Sequence, residues 1–330
     1  MKHKGARAFF IMDNGDKYLS EADLKICYNG NMEYSLRDRW LDISIGSLFV
    51  ETIQDFFDSY IPSKKIQHLL IQNKHILLDG NPVKREDPIV GLVLSIDLYP
   101  ETYVYEKNDL KIDIIYEDEI LLAVNKPKDL LVHGDGTEEM TLTAMVESYY
   151  ADRSYISAYP LHRLDKDTSG LVLFSKSPVF QPLLDQYIMH KQIRRNYYAF
   201  VKGIMEEGKI LTINKPIGKD RHDPHKRVIT ASGQEAITKV DCLGNNKRDN
   251  YSVLLCGIQT GRTHQIRVHL SGEGYPILND RLYGVDSPLC KRMGLFAESI
   301  EMYHPLKEEN ISIECELPKD LDILYRGILK

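Results

Sequence analysis

The sequence predicts a mixed α+β protein: a large domain of mostly antiparallel β-sheet behind a small N-terminal α/β unit. Three observations carry this. Short apolar runs outnumber segments of helical periodicity beyond residue 111. Those runs lack the regular strand–helix–strand alternation of a parallel sheet. Between residues 47 and 98, two helix-period segments and a hairpin stand apart, followed by Pro100 and the polar stretch Glu106-Lys-Asn-Asp109. A length of 330 residues fits two such units.

In chain order, residues 1–44 are polar and poor in Val, Ile and Leu, with a turn at Asn29-Gly30-Asn31. They are expected to be an extension. Phe49, Ile53, Phe56 and Phe57 share one helical face. Pro62-Ser63 breaks the chain and caps a second helix carrying Ile66, Leu69 and Leu70. His75–Leu78, the turn Asp79-Gly80 and Gly91–Leu98 read as strand, turn and strand. This assigns 1–44 to the extension, 45–105 to the small domain and 106–330 to the large one.

In the large domain, Ile112–Ile115 and Ile120–Val124 flank an acidic turn. Thr141 caps a helix with Leu142, Met145 and Val146 on one face. Gly170–Phe174 is a buried-strand candidate, and Ser177-Pro178 opens a helix. Tyr197–Val201 and Tyr251–Ile258 read as strands.

Composition narrows the function. No apolar run approaches the ~18 residues of a membrane helix. Met1-Lys-His-Lys-Gly5 opens no apolar leader, so a cytoplasmic protein is expected. Five widely spaced cysteines form no C-x-x-C pair, which speaks against a disulfide framework or zinc ribbon. The formal charge of −6 excludes a uniformly basic nucleic-acid binder. A local patch is still possible, because residues 191–227 carry ten Lys/Arg against four Asp/Glu.

Two clusters could carry chemistry. His162-Arg-Leu-Asp-Lys-Asp-Thr-Ser-Gly170 is a polar loop before an apolar strand, the usual seat of functional residues. In it Asp165 lies between Arg163 and Lys166, cations that favour its ionised form. Thr260-Gly-Arg-Thr-His-Gln-Ile-Arg-Val-His-Leu270 offers two forked donors, Arg262 and Arg267. His264 and His269 are five apart, which fits no metal-pair spacing. Phosphate-loop, dinucleotide and nucleophile-elbow motifs are absent, so no cofactor or metal is expected. Each cluster also has a plain reading, as a self-satisfied turn and as a segment of solvated arginines.

Together the clusters resemble the RluA-type RNA pseudouridine synthases. His162–Leu171 is similar to that family's signature motif. Arg195-Asn-Tyr-Tyr-Ala-Phe-Val-Lys-Gly203 resembles its second motif, with arginine where lysine is usual, and Gln259–His269 resembles its third. Val124-Asn-Lys-Pro127 and Pro276–Gly284 resemble the opening strand and the segment after the third motif. Residues 47–98, at a net −2, resemble the αL (S-four type) RNA-binding domain.

The resemblance implies a pseudouridine synthase fold that isomerises uridine to pseudouridine in structured RNA, ribosomal ahead of transfer RNA. It implies catalytic Asp165, Tyr197 and Arg262, with Arg262 paired to Asp165, and Arg163 entering the space of the flipped base. It implies substrate contacts from His162, Arg163, Thr168, Ser169, Gly170, Arg195, His264, Gln265 and Arg267. No metal, cofactor or obligate protein partner is implied, and a monomer is expected. Addition of Asp165 to C1′ and proton abstraction at C2′ both stay open. A glycoside hydrolase would need a second carboxylate, for which the loop offers Asp167.

Overall fold

The computed structural model describes residues 32–134, 140–153 and 155–329. The Asn29–Asn31 turn lies outside them. The small unit is a five-stranded sheet with two helices. Strand β1 (Tyr34–Arg37) pairs with β2 (Trp40–Ser44), and β2 pairs with β5 (Val93–Asp97). Strand β3 (Ile76–Leu78) lies on the other side of β5 and carries β4 (Asn81–Pro82) at the edge.

Residues 34–44 are therefore part of this sheet and not of an extension. Leu41 and Ile43 alternate into the core and are fully buried. That two-residue period is short and was hidden by its polar neighbours.

Helix α1 (Ile53–Tyr60) starts later than the apolar spacing suggests. Thr52 and Asp55 form a capping box at its first turn, and Phe49 is left exposed in the loop before it. Helix α2 (Lys64–Gln72) is capped by Ser63, as expected.

The large unit is built on a ten-stranded sheet, antiparallel at every pairing except one. Its strands are β6 (Ile114–Glu117), β7 (Leu121–Lys126), β8 (Tyr159–Pro160), β9 (Ser169–Ser175), β10 (Arg194–Lys202), β11 (Ile210–Asn214), β14 (Ile237–Asn246), β15 (Tyr251–Ile258), β16 (Leu295–His304) and β17 (Glu309–Glu314). The order is β11-β14-β15-β10-β16-β9-β7-β6, with β8 on β9 and β17 on β16. A separate hairpin, β12 (Ile217–Lys219) and β13 (Arg227–Ile229), projects from it. Helices α3 (Leu142–Tyr149), α4 (Gln181–Met189), α5 (Gln265–Gly272) and α6 (Lys319–Gly327) complete the described chain. The largely antiparallel sheet is the expected one.

The exception is the parallel pairing of β9 with β16, which places Phe296 beside Ser169 and Ala297 beside Gly170. At Gly170 φ is +114°, and a Cβ there would lie 2.2 Å from the Ala297 carbonyl oxygen. Only glycine lets the two backbones meet so closely. This contact fixes where the polar loop 162–168 enters the sheet.

One apolar core runs through both units. Polar contacts add to it. Ser177 Oγ donates to the Leu98 carbonyl at 2.6 Å, and Tyr99 Oη to the Glu119 carbonyl at 2.9 Å. The Glu308 carboxylate accepts from Met32 N and Tyr60 Oη.

Candidate active site

The loop before β9 is held from below by Lys126, the last residue of β7. Its side chain is fully buried, and Nζ donates to the carbonyls of Pro127, Leu130 and Lys166 at 2.7–3.0 Å. Burial lowers its pKa to about 8, against the opposing pull of Asp165, Asp167 and Asp129. In the sequence it stands only within Val124-Asn-Lys-Pro127, the segment that resembles the family's opening strand, with no role of its own.

Above that support, the Thr168 amide donates to the Asp165 carbonyl at 3.1 Å and closes a turn. The turn leaves the Asp165 carboxylate partly exposed on the cleft floor. Arg267, on the first turn of α5, donates through Nη1 to Asp165 Oδ2 at 3.0 Å. Its Nε and Nη2 bind both oxygens of Asp280 at 2.7 Å. This bidentate pair is buried. Burial opposes the Asp280 charge, but the Arg267 guanidinium and the amides of Leu282 and Tyr283 outweigh it and hold the carboxyl below its ordinary value.

The expected pairing of Arg262 with Asp165 is therefore corrected: Arg267 makes it. Arg262 precedes α5 and turns away, its Nε donating to the Glu235 carbonyl and its Nη1 to Gln234 Oε1, both at 3.0 Å. The chain reverses between the two arginines. His264, the N-cap of α5, has left-handed backbone angles (φ 60°, ψ 20°), so spacing along the motif does not carry over into direction.

The remaining expected residues separate into two groups. Arg163, Asp165, His264 and Arg267 line a cleft of about 470 Å³, together with Lys166, Asp167, Pro224, His225, Arg227, Thr263 and Leu282. The other group is buried around it. His162 Nε2 accepts the Leu173 amide at 3.2 Å, and burial, with Arg195 nearby, lowers its pKa to about 3. Gln265 bridges Thr260, the Arg262 amide, the Ile237 carbonyl and Thr238. Thr168, Ser169 and Gly170 are buried at the start of β9. Arg195 is buried, with its Nη1 3.4 Å from where a Gly261 Cβ would stand. Neither His162 nor Gln265 lines the cleft; both are buried behind it.

Tyr197 is buried on β10 opposite Ala297, which faces Gly170 in turn. One rung of the sheet therefore carries Tyr197 towards the signature loop. Burial raises its hydroxyl pKa; the Arg195 charge opposes this and the Asp165 charge adds to it. The basic segment 191–227 ends over the cleft, where the Arg227 amide donates to Tyr283 Oη at 2.6 Å. Among the described residues no group of His, Cys, Asp and Glu suits a metal ion.

The arrangement sets a carboxylate, held by a buried arginine, in an open cationic cleft. Comparison with known proteins decides the family. Residues 120–272 match the family model described as RNA pseudouridylate synthase. A Bacillus subtilis protein named RNA pseudouridine synthase YhcT is 36% identical over 218 residues, which cover 66% of this chain and 72% of that one. The chain belongs to the RluA-type RNA pseudouridine synthases. It is thus an isomerase that acts on RNA. The ribosomal large subunit pseudouridine synthase D of Xylella fastidiosa is 31% identical over 298 residues, covering 85% of the enzyme and 88% of its own length. The fold is shared with human RNA pseudouridylate synthase domain containing 1, at TM-score 0.54 and 24% identity, over 67% of the enzyme and 90% of that chain. No described helix is long and apolar enough to cross a membrane.

Proposed function

We propose that Asp165 is the reacting carboxylate of a synthase that modifies ribosomal RNA. The pairing of Asp165 with buried Arg267, in a cleft rimmed by Arg163, Lys166, His225 and Arg227, carries this reading. In the reaction the C1′–N1 bond of uridine breaks, the uracil turns while bound, and C5 bonds to C1′. The hydrogen leaves C5 and N1 gains one, so substrate and product are isomers. Arg267 keeps the carboxylate ionised and aimed. Tyr197 lies against the uracil face, and Arg163 fills the space that the flipped base leaves in the stack. Arg262 has no direct part; it anchors the turn before α5.

Relatives named for the ribosomal large subunit favour ribosomal over transfer RNA. The unit that contains residues 47–98, the stretch resembling an αL-type module, serves RNA selection, outside the chemistry. The enzyme works as a cytoplasmic monomer. Mapping pseudouridines in total RNA with and without the enzyme tests the target. Loss of sites in large-subunit ribosomal RNA is expected, and loss confined to transfer RNA overturns that choice.

A further inference from the structure

His264 sits against the reacting carboxylate in a conformation that is costly for any residue with a Cβ. Left-handed backbone at a non-glycine position is strained and tends to mark functional sites. The side chain is nearly buried, yet its ring lines the cleft.

A hydrogen-bond chain runs behind the ring. Tyr283 Oη accepts the Arg227 amide at 2.6 Å and lies 3.0 Å from His264 Nδ1. An amide can only donate, so the phenol proton is free for another acceptor. Among the described residues, Nδ1 is the acceptor within reach. With the phenol proton given to Nδ1, the ring hydrogen sits on Nε2. Burial lowers the His264 pKa, as do Arg267 and Arg227 against the opposing pull of Asp165, so the neutral ring is the form present near pH 7.

The Nε2–H group faces Asp165 Oδ2 at 3.9 Å. That is too long for a hydrogen bond, and a donor fixed in direction is left open beside the reacting carboxylate. Asp165 works at C1′ or at C2′ of the target ribose. Both routes bring its oxygen within one carbon of the atom that bears the 2′-hydroxyl. A hydroxyl oxygen beside the carboxylate is the acceptor this donor lacks.

We propose that His264 Nε2–H donates to the 2′-hydroxyl of the target uridine, with Tyr283 holding the ring in the donating tautomer. His264 then reads ribose against deoxyribose at the nucleotide undergoing reaction, a distinction that depends on the 2′-hydroxyl. The proposal rests on the pseudouridine synthase reading of this cleft.

The test is a cycle on two stem–loop RNAs that carry a uridine mapped as a target in total RNA. One has ribose at that position and the other 2′-deoxyribose. Formation of pseudouridine on each is followed as kcat/KM for the wild type and for His264→Gly, which suits the left-handed backbone and relieves its strain. The intrinsic effect of the missing hydroxyl on the chemistry is common to both proteins and cancels. The wild type should discriminate more strongly than the variant by about three- to tenfold, the range of one neutral hydrogen bond. Tyr283→Phe should lose part of the same discrimination. If His264→Gly turns over too slowly, Kd for the same two RNAs closes the cycle. Equal discrimination by wild type and His264→Gly overturns the proposal. If the wild type forms no pseudouridine on the ribose stem–loop, the same pair is built by ligation into the full-length RNA in which that uridine was mapped; if none forms there either, the synthase reading of the cleft fails first, and the proposal with it.

Discussion

Replacing Arg267 with methionine removes one guanidinium from two carboxylates. At 2.7–3.0 Å and an effective dielectric near 20, each full charge pair is worth about 6 kcal/mol before desolvation. The Arg267 side chain is 3% exposed and that of Asp280 is 0% exposed, so little solvent can replace the lost partner. Breaking a buried pair from one side costs about 3–5 kcal/mol net. Arg262 differs. It binds a carbonyl and an amide oxygen near the surface, and its loss costs about 1 kcal/mol or less. Urea denaturation should therefore separate Arg267→Met from Arg262→Met by at least 2 kcal/mol, a difference between about 3–5 and about 1. Turnover should fall by about 10²–10³ for Arg267→Met, the scale of a lost electrostatic positioning group. Arg262→Met should stay within several-fold of wild type. Should Arg267→Met fail to fold, Arg267→Lys keeps the charge but cannot fork between Asp165 and Asp280. It should fold and turn over slowly. Equal loss of turnover from Arg262→Met would refute the reasoning and return the pairing role to Arg262.

Three further outcomes follow from buried groups. Asp280→Asn should cost about 2 kcal/mol at neutral pH, as expected for a hydrogen bond to a charged group. Because the folded-state pKa of Asp280 is lowered, its contribution is present above the ordinary carboxylate range and is lost as pH falls through the folded value. The gap between wild type and variant in urea melts should therefore close under acid. His162 has a folded pKa of about 3 against 6.5 unfolded. The unfolded chain takes up its proton first, so stability falls as pH drops from 6.5 towards 3, by up to about 5 kcal/mol. His162→Gln keeps an acceptor for the Leu173 amide and should flatten that slope in pH-dependent melts. Gly170→Ala places a Cβ against the Ala297 carbonyl at positive φ. Strain and overpacking together should cost about 2–6 kcal/mol, read as a lowered Tm.

The signature loop was legible because His162–Leu171 resembles a long family motif and Asp165 stands between two cations. The antiparallel sheet was legible from short apolar runs without alternation. Three features were not. Strands β1 and β2 bury only Leu41 and Ile43 in alternation, too short a pattern to stand out among polar neighbours. Arg262 and Arg267 are equivalent donors in sequence, and the left-handed turn at His264 decides between them. Lys126 and Asp280 act through burial, which depends on neighbours far along the chain: Lys166 for one and Arg267 for the other. Several residues of the motifs, His162 and Gln265 among them, support the cleft from behind. A motif records which residues matter without recording whether they face the ligand.

The central claim is that one carboxylate, Asp165, carries the isomerisation of uridine within RNA. The most direct measurement incubates wild type and Asp165→Asn with the same RNA and identifies the product base at single-nucleotide resolution. The asparagine is nearly isosteric and can still accept from Arg267, so fold and RNA binding should persist. Wild type should convert the target uridine to pseudouridine without releasing uracil, while Asp165→Asn should bind the RNA and leave the uridine unchanged. Pseudouridine formed at the wild-type rate by Asp165→Asn, or free uracil released by the wild type, would contradict the account.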